Sequence, residues 1–401
     1  MTNSDIGATY NLIVDIGTTT VGMALLKDSK EIFRNNFRNP QSMFGADIIS
    51  RIKACEGGKL RAMQLALVSE LNRNIDKIKA QFQVENIGYM LATGNSAMQH
   101  IFFGVDCATL GYSPYTPQFL TSKRCKSCEL GFTSNFEVVS VPCISSFVGG
   151  DIVCGIYQCG LPKPSKYNIL LDLGTNAEIA IWDKDICVVT SAAAGSCFEG
   201  ANISCGMSAF KGAIAGYKVS IVQNKAEVEV KTVGDTKPIG LCGSGLIDVI
   251  AEMIDGNVID KSGMFLNNRD SFEICDDIRL TQNDVREFQL AKSAIRAGLE
   301  TLIAKLQMTA NDIDTLFLAG GFSTYINTEN AVKCGMIPWR IRDKCKPSGN
   351  SSLSGAVKYF EKNKVDMLEA EKIVKKSSSI DLSCNKMFAD GFIKYMNFDE
   401  N

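Results

Sequence analysis

Two segments of the sequence combine an aspartate, a glycine and hydroxyl side chains in the same order. Residues 12–20 read Leu-Ile-Val-Asp-Ile-Gly-Thr-Thr-Thr, and residues 169–176 read Ile-Leu-Leu-Asp-Leu-Gly-Thr-Asn. A glycine turn lets backbone N–H groups approach an anion closely, and threonine hydroxyls add further donors. The carboxylate can hold Mg²⁺ through water or orient a nucleophile. Each segment therefore predicts a small phosphate cradle, and two cradles facing each other would grip a nucleoside triphosphate from both sides.

The elements around these cradles predict a duplicated architecture. A strand-like run precedes each aspartate, and a second one follows each turn, at 21–26 and at 178–182. The two aspartates are 157 residues apart, so the repeat is a domain duplication and not a solenoid. Strands alternating with helices in two such halves predict two α/β domains that flank a nucleotide cleft.

Smaller patterns complete this outline. Helical spacing of apolar residues covers 60–82, 246–255 and 283–306, and a further helix is expected to end near residue 361. We expect strands at 88–94 and 314–319, each ending at a glycine turn, with a helix from Ser96 onward. Asp151 follows two glycines and is predicted to be the N-cap of the next helix.

Residues 161–165, Leu-Pro-Lys-Pro-Ser, indicate a linker between the halves. We therefore predict a first lobe over 1–163, a second lobe over 164–365 and a C-terminal tail over 366–401. In an alternative arrangement, the last helix of the second lobe packs on the first lobe.

Composition excludes several classes of function. The chain has 401 residues, 45% of them hydrophobic and 21% charged, as expected of a globular protein with two domains. The net charge of −2 indicates no basic surface for nucleic acid or anionic membranes. Aliphatic runs are too short to span a bilayer, and the N-terminus lacks the pattern of a secretory signal. We expect a cytoplasmic protein; the sequence does not indicate its oligomeric state.

The cysteines and the single histidine are weaker signals. Of the 15 cysteines, only Cys125 and Cys128 form a C-x-x-C pair, and a single pair cannot complete a four-ligand zinc or iron–sulfur site. Missing ligands could come from three downstream cysteines, but ordinary core thiols are the simpler reading and no iron–sulfur cluster is expected. Those three are Cys143, Cys154 and Cys159. His100 lies in a predicted helix without a second histidine, so we expect a hydrogen-bonded helix residue.

The ordered set of three glycine motifs resembles one superfamily. Asp15, Asp172 and the pair Gly320-Gly321 match the phosphate-1, phosphate-2 and adenosine motifs of the actin-like ATPases, in order and in spacing. That superfamily includes sugar and acetate kinases, actin and the heat-shock chaperone ATPase domain. The resemblance covers most of the chain and implies the duplicated, ribonuclease H-like fold.

Within the superfamily, the sequence is most similar to the ATPase domain of reductive activators of corrinoid-dependent enzymes. The similar blocks are residues 39–41, 44–52, 93–98, 172–179, 198–203, 243–248 and 320–330. This resemblance implies Mg-dependent ATP hydrolysis that helps an electron reach Co(II) in a corrinoid methyl carrier. It also implies a partner, either the corrinoid protein or its methyltransferase.

One departure from the family pattern concerns the electron path. Family members normally carry a ferredoxin domain, most often ahead of the ATPase domain, and no ferredoxin cysteine spacing occurs in this sequence. We therefore expect either a separate electron donor or a different use of the same ATPase.

The resemblance and the residue chemistry together assign site roles. Asp15 and Asp172 are expected to contact Mg²⁺ and phosphate through water, and Asp151 to orient the attacking water or hydroxyl; the catalytic candidates are Asp151 and Asp172. The residues expected to bind the nucleotide are Asp15, Gly17, Thr18, Thr19, Thr20, Asn95, Gly174, Thr175, Asn176, Gly243, Ser244, Gly245, Gly320, Gly321 and Phe322. Glu178 and Glu199 are weaker acid candidates.

Structural roles compete with each of these assignments. The aspartates could stabilise turns, the glycine pair could be a plain left-handed turn, and residues 243–245 could merely begin a helix. Other functions also stay open at this point. A small-molecule kinase would use the same acid near the γ-phosphate, a scaffold would turn over little ATP, and a direct redox role would require bound iron.

Overall fold

The computed structural model describes residues 9–222, 225–321 and 323–398, without the side chains of 222, 225, 226 and 324. Contacts divide the chain into two compact units. The first unit comprises Met1–Gly160 and Ser351–Ser379, and the second comprises Leu161–Asn350 and Ile380–Asn401. No helix in the described part of the chain is long and apolar enough to cross a membrane.

The described residues form 17 strands and 11 α-helices. The strands are β1 (Tyr10–Ile16), β2 (Thr20–Lys27), β3 (Lys30–Arg38), β4 (Ile87–Gly94), β5 (Arg124–Lys126), β6 (Glu137–Ser140), β7 (Tyr167–Leu173), β8 (Ala177–Trp182), β9 (Cys187–Ala192), β10 (Ala213–Val222), β11 (Lys225–Thr232), β12 (Gly240–Leu241), β13 (Ser271–Cys275), β14 (Ile278–Thr281), β15 (Ile313–Ala319), β16 (Cys345–Gly349) and β17 (Ser377–Ser379). The helices are α1 (Ile48–Ala54), α2 (Leu60–Phe82), α3 (Ser96–Phe102), α4 (Ser127–Leu130), α5 (Gly150–Cys159), α6 (Gly243–Asp255), α7 (Gln282–Lys305), α8 (Thr328–Lys333), α9 (Ser351–Asn363), α10 (Leu368–Lys375) and α11 (Lys386–Lys394).

The sheet of the first unit has the strand order β3-β2-β1-β4-β6-β5. β1 is antiparallel to β2 and parallel to β4, and β4 is parallel to β6. Because side chains alternate along a strand, Leu12, Val14 and Ile16 pack on one face with residues of α2, while Ile13 packs on the other. The latter face is covered by α5 and α9. Asp15 shares the side of Ile13 and therefore faces those two helices.

The sheet of the second unit repeats this plan. Its strands run β16-β15-β7-β8-β9, with β7 antiparallel to β8 and parallel to β15. The order of β9, β8, β7, β15 and β16 corresponds to that of β3, β2, β1, β4 and β6. Asp15 and Asp172 are both the last residue but one of the central strand. The predicted duplication of an α/β domain is thereby confirmed.

The elements predicted by periodicity agree with the structure. The segments at 60–82, 246–255, 283–306 and 314–319 correspond to α2, α6, α7 and β15, and the helix expected to end near 361 is α9. The segment 366–401, set apart as a tail from sequence, contains α10, β17 and α11. The predicted lobe limits stay a prediction.

The prediction that Asp151 is a helix N-cap is wrong. α5 begins at Gly150 with Gly149 as its N-cap, so Asp151 lies in the first turn. The close packing of Gly149 explains this difference, because a Cβ there would lie 2.3 Å from the Gly94 carbonyl oxygen. Gly149 is held in an extended conformation at that contact, and the helix begins immediately after it.

Candidate functional site

The first cradle is the turn between β1 and β2. Asp15 is 8% exposed, and its Oδ1 accepts a hydrogen bond of 2.8 Å from the Ser352 hydroxyl. A Cβ on Gly17 would lie 2.5 Å from the Thr20 carbonyl oxygen, so only glycine permits this turn. Thr18, Thr19 and Thr20 are partly exposed. The structure thus places the predicted residues of this motif in one short turn.

Asn39 and Arg51 donate hydrogen bonds to the carbonyl oxygens of this turn. Asn39 donates from Nδ2 to the Gly17 oxygen at 2.8 Å and from its backbone N–H to the Thr19 oxygen at 2.8 Å. The buried Arg51 guanidinium donates to the Thr18 oxygen at 2.6 Å. With all three carbonyls engaged, the orientation of the turn is fixed. Sequence reasoning missed these two supports, although both lie in blocks that carried the family resemblance.

Asn95 joins the same cradle from the end of β4. Its Oδ1 accepts the Met98 N–H at 2.9 Å and so caps α3, while its Nδ2 donates to the Thr18 hydroxyl oxygen at 3.3 Å. The register pairs Asp15 with Thr93, which brings the ends of β1 and β4 together. The structure thus places Asn95, which is predicted to bind the nucleotide, beside the first cradle.

Asp151 is a second acidic residue near the first cradle, where its carboxyl group interacts with that of Asp15. Its Oδ1 accepts the N–H of Ile152 at 2.8 Å. Burial raises the pKa of Asp151 from its ordinary 3.8 to about 7, and the Asp15 carboxylate raises this pKa further in the same direction. A carboxyl with such a pKa can give or take a proton near neutral pH, as a residue that activates water must.

Replacement of Asp151 by asparagine should change how stability depends on pH. In the nucleotide-free protein the folded chain holds this proton up to about pH 7, whereas the unfolded chain releases it near 3.8, so wild-type stability falls as pH rises through that window. Asparagine cannot ionise. The melting temperature of Asp151→Asn minus that of wild type should therefore be larger at pH 8 than at pH 5. Thermal unfolding at both values measures this difference.

The exposed Asp76 in α2 supplies the control for that comparison. Asp76→Asn should give the same small difference from wild type at both pH values. An Asp151→Asn effect that does not grow with pH would contradict the raised pKa.

The second cradle is the turn between β7 and β8. The Gly174 N–H donates to the Asn176 carbonyl at 3.0 Å, and Asp172 is partly exposed directly before the turn. The Thr175 hydroxyl donates to the Glu199 carboxylate. Glu199, a weaker candidate from sequence, is therefore part of this cradle, and the hydroxyl of Thr175 already has an anionic acceptor. Glu178 instead accepts a hydrogen bond of 3.2 Å from Ser191.

The predicted adenosine motif lies beside Asp172. Ala319, the last residue of β15, is paired with Asp172, and Gly320 follows it with φ of +112°. A Cβ on Gly320 would lie 2.2 Å from the Leu173 carbonyl oxygen, whereas a Cβ on Gly321 would meet no atom of the described residues within 4 Å. Gly320 therefore packs directly against the end of β7. Phe322 lies outside the described residues.

Residues 243–245 form the first turn of α6, as predicted, and all three are buried. A Cβ on Gly243 would lie 2.3 Å from the Phe198 oxygen, and one on Gly245 would lie 2.2 Å from the Ile214 oxygen. The Ser244 hydroxyl is 3.4 Å from the Cys242 sulfur. Any contact with a nucleotide from this segment would therefore come from backbone N–H groups and not from the serine side chain.

The remaining sequence candidates occupy structural positions. Cys125 is half-buried in β5 and Cys128 is exposed in α4. Among the residues that the structure describes, no group of three or more His, Cys, Asp or Glu side chains is placed to hold a metal ion. His100 Nδ1 lies 2.6 Å from the Ser96 oxygen, and Nε2 accepts the Gln118 N–H at 3.1 Å. The prediction of a hydrogen-bonded helix histidine is confirmed.

Comparison with known families covers almost the whole chain. The description "RACo middle region" matches residues 10–164, and "C-terminal domain of RACo the ASKHA domain" matches residues 166–401. The chain belongs to the RACo family. The predicted actin-like superfamily and the closer likeness to corrinoid activators are both confirmed.

Individual relatives agree with the RACo assignment. The "Corrinoid activation enzyme RamQ" of Eubacterium limosum is 31% identical over 98% of this chain and 71% of its own length. The "[Co(II) methylated amine-specific corrinoid protein] reductase" of Methanosarcina barkeri is 24% identical over 89% of this chain and 71% of its own. A solved structure, "Reductive activator for corrinoid,iron-sulfur protein", is 33% identical with a TM-score of 0.87, over 97% of this chain and 66% of that one. The present chain thus spans about two thirds of the length of these RACo-type proteins.

Proposed function

We propose that this protein binds and hydrolyses Mg·ATP and couples this reaction to the reductive activation of a corrinoid protein. The observation that carries the proposal is the repeated cradle of a RACo-family chain. In each unit, an aspartate is the last residue but one of the central strand in that unit's sheet and is followed by a glycine turn with hydroxyl or amide side chains. Such turns suit the phosphates of a nucleotide.

The chemistry of these residues fits a magnesium nucleotide. Carboxylate and hydroxyl oxygens are the hard ligands that Mg²⁺ accepts, and Mg²⁺ usually keeps several of its waters. When bound, the ion would neutralise charge on the β- and γ-phosphates. Asp15 and Asp172 would hold its water shell, while backbone N–H groups of both turns would donate to phosphate oxygens. Asp151, with its raised pKa, would orient and deprotonate the attacking water.

The names of the relatives support a corrinoid protein as the partner. The RamQ relative is a corrinoid activation enzyme, and the Methanosarcina relative is a reductase of a Co(II) corrinoid protein. In the proposed reaction, one electron from a separate low-potential donor reduces Co(II) to Co(I). Nucleotide-driven closure of two lobes would supply the coupling. The RACo assignment favours this activator over the small-molecule kinase considered from sequence.

The test is phosphate release by the purified, anaerobically prepared protein, with and without a Co(II) corrinoid protein. We expect hydrolysis of Mg·ATP that the corrinoid protein stimulates, and formation of Co(I), seen by its absorption spectrum, once a chemical reductant is added. Unchanged hydrolysis on adding several Co(II) corrinoid proteins would contradict the coupling. A screen of small phosphate acceptors would then test the kinase function.

A further inference from the structure

The Asp15 carboxylate is bound by a residue far away in sequence. Ser352 Oγ donates to Asp15 Oδ1 at 2.8 Å, and the two residues are 337 positions apart. Both are almost fully buried, with exposures of 4% for Ser352 and 8% for Asp15. A hydrogen bond from a hydroxyl to a buried carboxylate is short, directional and strengthened by the charge. It therefore restrains the rotation of the Asp15 side chain.

The packing of α9 on α5 sets the position of Ser352. A Cβ on Gly355 would lie 2.0 Å from the Cys154 carbonyl oxygen, so the backbones of the two helices touch at this glycine. Ser352 is three residues before Gly355, on the same face of α9 and one turn nearer its N-terminus. The contact between Gly355 and Cys154 thus holds the serine against the end of β1.

The hydrogen bond from Ser352 also bears on the interaction between the carboxyl groups of Asp15 and Asp151. The Asp15 charge contributes to the raised pKa of Asp151, at the start of α5, so the two carboxyl groups are close enough to interact. When Asp151 is ionised, the two negative charges repel each other, and a restraint on the Asp15 side chain opposes its displacement. The Ser352 hydroxyl, in the first turn of α9, donates to the Asp15 carboxylate and supplies this restraint. Nothing comparable applies to the adjacent Ser351, whose buried hydroxyl has no hydrogen-bond partner in the described part of the chain.

We infer that Ser352 is a positioning residue that orients the Asp15 carboxylate for the magnesium nucleotide. This inference rests on the proposed role of Asp15. Ser352 itself touches neither the ion nor the phosphates in this scheme, and acts through Asp15. Residues that hold a metal-binding carboxylate in this way typically change metal affinity about 10- to 100-fold when they are removed.

The direct test measures Mn²⁺, a spectroscopic substitute for Mg²⁺, in the presence of ADP. Electron paramagnetic resonance of free Mn²⁺ gives its affinity for the nucleotide-bound protein. Ser352→Ala should weaken Mn²⁺ binding about tenfold and raise the Mg²⁺ concentration for half-maximal ATP hydrolysis by a similar factor. Ser351→Ala, equally buried and one residue away, should change neither value.

A second pair of variants separates the hydroxyl from the packing. Threonine and valine have the same shape, but only threonine keeps the hydroxyl. Ser352→Thr should retain Mn²⁺ affinity near that of wild type, whereas Ser352→Val should lose about tenfold. Thermal unfolding of the metal-free variants shows whether the two are equally well folded.

The outcomes distinguish this inference from the proposed function. If Asp15→Asn abolishes Mn²⁺ binding while Ser352→Ala and Ser352→Val bind as wild type does, the inference is wrong and the proposed function stands. If Asp15→Asn itself binds Mn²⁺ and nucleotide normally, the proposed function fails, and the inference fails with it. Weaker binding in Ser352→Val with retained binding in Ser352→Thr supports both.

Discussion

Asp172→Asn should reduce the hydrolysis of Mg·ATP by about two to three orders of magnitude, the usual cost of removing one preorganised group that stabilises charge in a transition state. Asparagine has nearly the same shape as aspartate, so β7 and the Gly174 turn should stay in place. The variant lacks only the negative charge next to the second cradle. Phosphate release under saturating Mg·ATP, with and without the corrinoid protein, measures the effect.

The matched control for this variant is again Asp76→Asn, which removes the same charge from an exposed position on α2. Its hydrolysis rate should equal that of wild type. Thermal unfolding should show that Asp172→Asn is folded. A rate within a factor of about three of wild type would mean that Asp172 only stabilises its turn, as many aspartates before glycines do.

Gly355→Ala should destabilise the protein by about 3 kcal/mol, at the upper end of the usual cost of overpacking. The new Cβ would meet the Cys154 carbonyl oxygen at 2.0 Å, and that atom belongs to a helix backbone that cannot rotate away. α9 must therefore move off α5. Denaturant unfolding measures the loss. Because Ser352 lies on the same helix, we also expect weaker Mn²⁺ binding in this variant.

Gly57→Ala is the corresponding control. A Cβ at Gly57 would meet no atom within 4 Å among the residues that the structure describes. Its free energy of unfolding should therefore stay within about 0.5 kcal/mol of wild type, as is usual for surface positions. Equal stability of Gly355→Ala and Gly57→Ala would show that α5 and α9 are not packed as closely as the structure has them.

Local patterns in the sequence were sufficient to predict both cradles. Asp15 and Asp172 are each within two residues of the glycine that shapes the turn, and each follows a buried strand with an unambiguous aliphatic run. The repeated strand and helix pattern likewise predicts the duplicated fold, because regular elements depend on nearby residues.

Contacts between distant segments could not be predicted in this way. The bonds from Ser352 to Asp15 and from Arg51 to Thr18 join residues that only the folded sheet brings together. The contact of Thr175 with phosphate stays a prediction, whereas the hydrogen bond from its hydroxyl to Glu199, 24 positions further along the chain, was not foreseen. The assignment of Asp151 as an N-cap failed for the same reason, since the close contact between Gly149 and Gly94 is not visible in the local sequence.

The division of the first unit into two chain segments has a consequence for synthesis on the ribosome. Ile13, Ala24 and Leu26 pack against α9, but α9 is translated only after the long segment 161–350 of the second unit. At about 5–20 residues per second, the part of this apolar face that α9 covers stays exposed for roughly 10–40 s. The nascent N-terminal half is therefore incomplete while most of the second unit emerges. Ribosome-bound chains that stop before residue 351 lack α9, so they should expose apolar side chains of the sheet of the first unit, which chaperones can bind.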